Sequence, residues 1–202
     1  CRAIYKKNSN ELSIGRDKAE ALMRSLGLMV AKKSKYVKTT QAGRRLFDNL
    51  LLNFKVDNLN QVWQADMTYY LAGSKVYFLP FITDVYSRRI LGYGAYERAF
   101  ALNFQSVLKK ALAVRKKQGI ALEGLIHHSD GGKQYEAHIY QNICKAHQIR
   151  QSMCYYSWEN PYAEKTNDLV KNRYLKYWKP KTLSELKRCL KKAVEDHNAN
   201  QQ

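Results

Sequence analysis

Three acidic residues stand in sequence contexts that would allow them to meet: Asp66, Asp130 and Glu164. Asp66 lies inside an apolar and aromatic run that predicts a buried strand, Asp130 ends a second such run, and Glu164 lies in the first turns of a predicted helix. Burying a carboxylate is costly unless it is paired or binds a cation. Three converging acids therefore predict a site for divalent metal ions, which prefer oxygen ligands.

Two aspartates and a glutamate are the ligands that a pair of Mg²⁺ or Mn²⁺ ions requires. Two ions roughly 3.5–4 Å apart stabilise the attacking and leaving oxygens of an in-line displacement at phosphorus. A zinc site is disfavoured, because Cys144 and His147 form one close pair and structural zinc sites usually show two. Each acid also has a simpler explanation: an exposed sheet face for Asp66, a turn for Asp130 and compensation of the helix dipole for Glu164.

The charge balance points to a polyanionic partner. Lys and Arg total 35 against 17 Asp and Glu, which gives a formal net charge of +18. Each phosphate that the protein neutralises releases condensed counterions, so nucleic acid is the expected partner. A membrane is not expected, because no strongly apolar stretch reaches the roughly 18 residues of a spanning helix.

Four residues close to the acids in sequence are candidate DNA contacts: Lys133, Tyr156, Lys165 and Lys171. Lys171 lies on the same face of the predicted helix as Glu164, where it would hold a phosphate beside a metal ion. Tyr156 belongs to an aromatic cluster, residues 155–158, which would either stack on a distorted DNA end or pack against the last helix.

Two histidines, His127 and His128, precede Asp130. One of them is expected to face the core. The other would approach the DNA or the nucleophile, and the sequence does not distinguish between them.

The hydrophobic pattern from residue 60 onward predicts three strands in an antiparallel meander, followed by alternating helices and strands. The later elements are a helix, a strand, a helix, a strand and a helix over residues 101–117, 122–127, 134–147, 149–154 and 160–177, and a final helix begins at Thr182. Asn160 is predicted to cap its helix. This order predicts an α/β fold with a mixed five-stranded sheet.

The first 55 residues differ from the rest. They show a short helical pattern and a run of lysines over 32–38, typical of a solvated linker. We interpret residues 1–55 as a helical and basic linker segment, the tail of an N-terminal DNA-binding region, and residues 56–202 as the catalytic core.

Four motifs in order resemble the integrase-like catalytic core of insertion-sequence transposases, relatives of retroviral integrases in the DDE class. They lie at residues 63–69, 83–92, 128–135 and 151–164. The resemblance covers about residues 60–197, and residues 15–42 resemble the linker that joins the family's helix-turn-helix region to its core.

The resemblance implies a ribonuclease-H-like fold, with helices on both faces of the sheet, and two-metal DNA strand cleavage and strand transfer during transposition and integration. Asp66, Asp130 and Glu164 would be the first, second and third acids, holding two Mg²⁺ ions. Glu159 is the rival third acid, although residues 163–165 match the motif better. The family's extension beyond Asn198 is missing, so the core is expected to be truncated at its C-terminus.

The same resemblance implies partners and a location. Transposon ends and target DNA would be the substrates, bound by a homo-oligomer. The protein would act in the bacterial cytoplasm, associated with the nucleoid.

Two other functions stay open at this level. One is a ribonuclease-H-type nuclease, which typically carries a fourth acid. The other is a catalytically silent, truncated or domesticated DNA-binding protein that acts as a repressor. Loss of any of the three acids would favour the silent protein, and all three are present.

Overall fold

A computed structural model of the chain describes residues 15–28 and 46–201, which fall into two units. In the first unit, helix α1 (Arg16–Ser25) is followed by Gly27, whose φ of 67° is a conformation that favours glycine. The predicted basic run over 32–38 lies outside the described residues.

The second unit is built on a five-stranded sheet with the strand order β3-β2-β1-β4-β5. The strands are β1 (Val62–Ala72), β2 (Lys75–Asp84), β3 (Ile90–Tyr93), β4 (Ile126–Ser129) and β5 (Arg150–Met153). The first three pair antiparallel, while β4 and β5 run parallel to β1, which confirms the predicted mixed sheet. Strand β4 begins four residues later than predicted, because the N–H of Leu125 bonds the carbonyl of Leu122 in a turn.

Helices cover both faces of this sheet. They are α2 (Ala101–Lys117), α3 (Lys133–Glu136), α4 (His138–Ala146), α5 (Pro161–Leu169), a π-helical segment (Val170–Leu175), α6 (Lys176–Trp178) and α7 (Leu183–Ala199). The helix predicted over 134–147 is broken at Ala137, whose ψ of 134° is extended. None of the helices in the described part of the chain is long and apolar enough to cross a membrane.

Alternation along β1 separates the two largest hydrophobic clusters of the core. Trp63 and Ala65 face α2 and α4, where they pack with Phe104 and Tyr140. On the opposite face, Phe81 of β2 packs in a second cluster against residues of the π-helical segment and α7. The side chains of β1 that alternate with Trp63 and Ala65 therefore point the other way, to the face of the sheet that α5 covers.

Gly92 marks the closest approach of β3 to α2. A Cβ at this position would lie 2.5 Å from the carbonyl oxygen of Val107 and 3.1 Å from its side chain. We expect Gly92→Ala to lower the free energy of unfolding by about 1–3 kcal/mol, because the helix backbone must move away. Urea unfolding measures this change. Gly131→Ala is the matched control, since no atom lies within 4 Å of its added Cβ, and equal losses in the two variants would contradict the packing.

The burial of His127 is expected to make the stability of the fold sensitive to acid. His127 is 1% exposed, its Nε2 lies 2.9 Å from the Tyr140 hydroxyl, and burial lowers its pKa from 6.5 to about 4. Between these two pH values the unfolded chain binds the proton more readily, so the fold loses stability as the pH falls.

The expected loss from this one group between pH 7 and pH 4 is about 3 kcal/mol. His127→Gln should lose less stability over the same interval, measured by urea unfolding at several pH values. The same pH dependence in both proteins would show that His127 does not carry the effect.

Candidate active site

Helix α5 begins above β1 and is capped by a side chain of that strand. Gln64 Oε1 accepts hydrogen bonds from the N–H groups of Tyr162 and Ala163 at 3.0 and 3.3 Å. Asn160 occupies the predicted N-cap position, but its side chain makes no capping bond, because its Nδ2 donates to the carbonyl oxygen of Ala65 at 3.0 Å. Both amides fix the start of α5 against the middle of β1.

Asp66 is half-buried on the same face, two residues further along the strand. Its Oδ1 accepts the N–H of Met67 at 2.7 Å, and its Oδ2 accepts Nδ2 of Asn167 at 2.7 Å. Each carboxylate oxygen thus has one donor that holds its direction and keeps capacity for a further partner.

The parallel register brings Asp130 next to Asp66. Ala65 pairs with Ser129, so the next residue on each chain is an acid. Asp130 follows the last residue of β4, and its Oδ1 accepts the N–H of Gly132 at 3.2 Å. The two predicted aspartates therefore stand side by side at the end of a parallel strand pair.

Electrostatic effects at the two aspartates favour protonation. Burial, followed by the charge of Asp130 and, more weakly, that of Glu164, raises the pKa of Asp66 to about 7, although its hydrogen bonds act in the opposite direction. Burial also raises the pKa of Asp130. Two carboxylates that resist ionisation side by side form a site that a cation would stabilise.

Glu164 lies in the first turn of α5, one helical turn before Asn167. It is exposed, and its carboxylate has no hydrogen-bond or salt-bridge partner among residues 15–28 and 46–201. Over those same residues, no three His, Cys, Asp or Glu side chains form a group that could hold a metal ion. The structure brings Asp66 and Asp130 together and leaves Glu164 on the helix surface, where its charge still acts on Asp66.

Glu159, the rival third acid, organises the loop before α5. Its Oε2 accepts Nδ2 of Asn49 at 2.9 Å and the N–H groups of Tyr155 and Tyr156 at 2.6 and 3.2 Å. These bonds tie the loop to the segment that precedes β1. These three hydrogen bonds explain Glu159 as a residue that holds the loop in place.

The aromatic cluster projects from this loop. The rings of Tyr156 and Trp158 stack with centroids 4.4 Å apart and planes 5° from parallel. Tyr156 is 55% exposed and Trp158 is 68% exposed, so these two rings do not bury against the last helix.

The three candidate lysines have different surroundings. Lys133 opens α3 and Lys165 follows Glu164 on α5, and both are exposed. Lys171 lies against β1, where its Nζ donates to Thr68 Oγ1 at 3.3 Å and stands 4.7 Å from the ring centroid of Tyr69.

Both histidines are buried. His127 packs in the core under α4 beside Tyr140, whereas His128 is on the α5 face with its Nδ1 2.9 Å from Ser152 Oγ. Burial lowers the pKa of each to about 4. Both rings are therefore neutral near pH 7, and neither reaches the protein surface, so the approach expected for one of them is wrong.

A fourth acid in the second motif has a structural role. Asp84 is fully buried, and its carboxylate accepts hydrogen bonds from the N–H of Asn60 and from the N–H and hydroxyl of Ser87. In the same turn, the Arg88 guanidinium stacks 3.5 Å above the ring of Tyr162. This motif therefore braces the start of α5.

Sequence reasoning assigned no role to Gln64 or Asn167. A signal was present for both: Gln64 shares the strand face of Asp66, and Asn167 shares the helix face of Glu164. The contact between a given amide and a given acid depends on the angle between helix and strand. Neither the helical period nor the strand period in the sequence specifies that angle.

Comparisons with known proteins show which family and which fold the chain resembles. A family model described as "Integrase core domain" matches residues 57–156. The IS600 insertion element uncharacterized 31 kDa protein of Shigella sonnei is 31% identical over 194 residues, covering 92% of this chain and 69% of that protein. The protein named as transposase for insertion sequence element IS986/IS6110 in Mycobacterium tuberculosis (strain ATCC 25618 / H37Rv) is 30% identical over 179 residues, or 86% of this chain. The match spans 64% of that mycobacterial protein's length.

Solved structures share the fold. The catalytic core domain of HTLV-2 integrase in complex with magnesium aligns with a TM-score of 0.51 at 21% identity, covering 67% of this chain and 83% of that one. The catalytic core domain of BIV integrase aligns with a TM-score of 0.53 at 18% identity, covering 71% and 86%. The predicted ribonuclease-H-like α/β fold is confirmed.

Sequence and fold thus lead to one conclusion. The matched core model covers β1 to β5, and the Shigella relative extends the similarity over nearly the whole chain. The chain belongs to the family of insertion-sequence transposases that carry an integrase core domain.

Proposed function

We propose that this core catalyses DNA strand cleavage and strand transfer with two Mg²⁺ or Mn²⁺ ions held by Asp66, Asp130 and Glu164. The observation that carries the proposal is the adjacency of Asp66, inside β1, and Asp130, just past the end of the parallel strand β4, with the Asp66 pKa raised to about 7. A protein rarely keeps two partly buried acids side by side unless a cation or a shared proton stabilises them.

The donor set suits hard divalent cations. Carboxylate oxygens are the ligands that Mg²⁺ prefers, and Asp66 and Asp130 each retain acceptor capacity beyond their hydrogen bonds. Glu164 is the third donor, since its exposed carboxylate is not engaged by any described side chain. When bound, the two ions would activate the attacking oxygen and neutralise the leaving oxygen at phosphorus.

The chain's own residues prepare this site. Asn167 and the N–H of Met67 hold the Asp66 carboxylate in one orientation, and the N–H of Gly132 orients Asp130. Such supporting contacts typically change metal affinity or activity 10–100-fold when removed. Gln64 fixes the start of α5, the helix that carries Glu164, on strand β1.

DNA is the proposed substrate, as transposon ends and target. The net charge of +18 supports a polyphosphate ligand. Lys133 and Lys165 are exposed and lie close in sequence to Asp130 and Glu164, and the exposed stack of Tyr156 and Trp158 offers a surface for bases. Lys171 already donates to Thr68 on β1, so it would contact only a phosphate that approaches that hydrogen bond.

The proposal extends to assembly and location. The simian T-cell lymphotropic virus protein that shares this fold, with a TM-score of 0.53, is described in an intasome, and the HTLV-2 core is described in dimeric and trimeric forms. We infer that this chain acts as a homo-oligomer on DNA. The named relatives are bacterial, so the proposed location is the bacterial cytoplasm, on nucleoid DNA.

Substitution of one acid tests the chemistry. We expect Asp130→Asn to reduce Mg²⁺-dependent nicking and joining of end-mimic DNA by at least roughly 100-fold, beyond the loss typical of a supporting contact. Asp168→Asn is the matched control, because Asp168 lies on the same helix as Glu164 but is exposed and bonds Asn172. Equal activity of wild type and Asp130→Asn would refute the catalytic assignment.

A second prediction tests the metal site without activity. At pH 8 and without divalent ions, Asp66→Asn should stabilise the fold by about 2 kcal/mol, because it removes a charge held beside Asp130. Asn167 can rotate its amide to accept from the new side chain. Thermal unfolding measures this, and added Mg²⁺ should raise the Tm of the wild type but not of Asp66→Asn. A variant that is less stable than the metal-free wild type, or a wild type indifferent to Mg²⁺, would count against the site.

A further inference from the structure

A second concentration of positive charge lies beyond the helix that carries Glu164. Between residues 170 and 192 there are nine Lys or Arg residues and one acid, Glu185. Glu185 contributes the single negative charge of this stretch, and its Oε2 accepts the N–H of Lys181 at 2.8 Å. This stretch therefore presents an excess of cations that its own acids do not balance.

Aromatic rings join these cations into one surface. The Arg173 guanidinium stands 5.6 Å from the ring centroid of Tyr174, whose ring is 5.3 Å from that of Trp178. From the other side, Nζ of Lys192 on α7 stands 5.5 Å from the Trp178 ring. The π-helical segment, α6 and α7 thus share a continuous line of cations and rings.

The centre of this line is open to solvent. Trp178 is 37% exposed and lines a concavity of about 350 Å³ together with two cations, Arg188 and Lys192, and one acid, Glu185. We call the exposed residues Lys176, Trp178, Lys179, Lys181, Arg188 and Lys192 the α6–α7 surface. Within the described ranges 15–28 and 46–201, the side-chain salt bridges are Arg24–Glu20 and Lys191–Glu195, so none involves a cation of this surface.

The α6–α7 surface lies beyond the C-terminal end of α5, along the continuous helical stretch that runs from Pro161 to Trp178. Trp178 comes fourteen residues after Glu164, which at 1.5 Å per residue corresponds to roughly 20 Å. Duplex DNA advances 3.4 Å per base pair, so this span corresponds to about six base pairs. Lys171, between the two regions, is turned toward β1.

We propose that the α6–α7 surface binds the phosphate backbone of duplex DNA about six base pairs from the reacting phosphodiester. The cations would contact phosphates, and the indole of Trp178 would hold Lys192 in place for them. This inference rests on the proposed function, since it assumes that the scissile phosphate lies at Asp66 and Asp130. It adds a second contact region that fixes the direction of the DNA along α5 and α7.

The test compares two charge-removing double variants of the full chain in DNA-binding titrations. Arg188→Ala with Lys192→Ala removes the centre of the α6–α7 surface. Lys109→Ala with Lys116→Ala is the matched control, because both lysines are exposed on α2, on the opposite face of the sheet. All four side chains are exposed, so circular dichroism and Tm should stay at wild-type values.

Salt dependence gives the expected numbers. Loss of two phosphate contacts should reduce the slope of log K against log salt by roughly two, and lower the affinity at 0.1 M salt by about tenfold or more. The loss should appear with duplexes that extend ten or more base pairs from the reactive end and vanish with duplexes of about four. The control double variant should change the slope by less than half as much.

The outcomes separate this inference from the proposed function. If the α7 double variant binds long duplexes like the wild type, or if both double variants lose affinity equally, the α6–α7 surface is not a DNA site. A preference of the surface for single strands over duplex would also overturn it. Wild-type protein that binds no DNA at all would instead overturn the proposed function, whereas intact Mg²⁺-dependent nicking of short duplexes by the α7 variant would keep that function standing.

Discussion

The contact between the polar face of β1 and helix α5 is the constraint on which the site depends. Gln64 bonds the start of the helix, Asp66 bonds Asn167 in its last turn, and Thr68 bonds Lys171 in the π-helical segment that continues it. Strand residues two apart rise by nearly 7 Å, close to the rise of four helical residues, so the two periods stay matched over this length. A helix placed in this way holds Glu164 at a fixed height above the strand that carries Asp66.

Polar groups continue across the sheet beneath the helix. In register with Gln64, the neighbouring strands carry Thr83, His128 and Ser152, and all are buried. Thr83 bonds Thr166 of α5, and Ser152 bonds both His128 and the N–H of Leu50. Buried polar groups of this kind are costly when they lack partners, so the row specifies one position for the helix more strictly than an apolar surface would.

The sequence predicted elements with strong periodicity and missed those decided by tertiary packing. Strand β1 and helix α2 follow their hydrophobic patterns closely, and the meander places Asp66 in the sheet. The break at Ala137 has no glycine or proline to announce it, yet it allows Tyr135 and Tyr140 to enter the core, where their rings meet each other and the ring of His127. The π-helical segment likewise lacks a local signal, because its turns are held by packing against α7.

The part of the candidate site that follows from the pairing register of β1 and β4 could be predicted from the sequence. Parallel pairing of two strands that both lead into an acid brings Asp66 and Asp130 together. The capping of α5 could not be read from its flanking residues, since local propensity favours Asn160 while a side chain 98 positions away does the work. The position of Glu164 on the helix depends on that long-range contact.

The loop carboxylate of Glu159 has a practical consequence for mutational studies of this enzyme class. Removing it would free two backbone amides and the Asn49 amide at once, and the disorder would spread to the helix that begins at Pro161. Alanine scanning would then record an inactive variant and could misassign the acid as a metal ligand. To distinguish a structural role of Glu159 from a role in catalysis, the activity measurement needs a probe of backbone order beside it, such as amide hydrogen exchange.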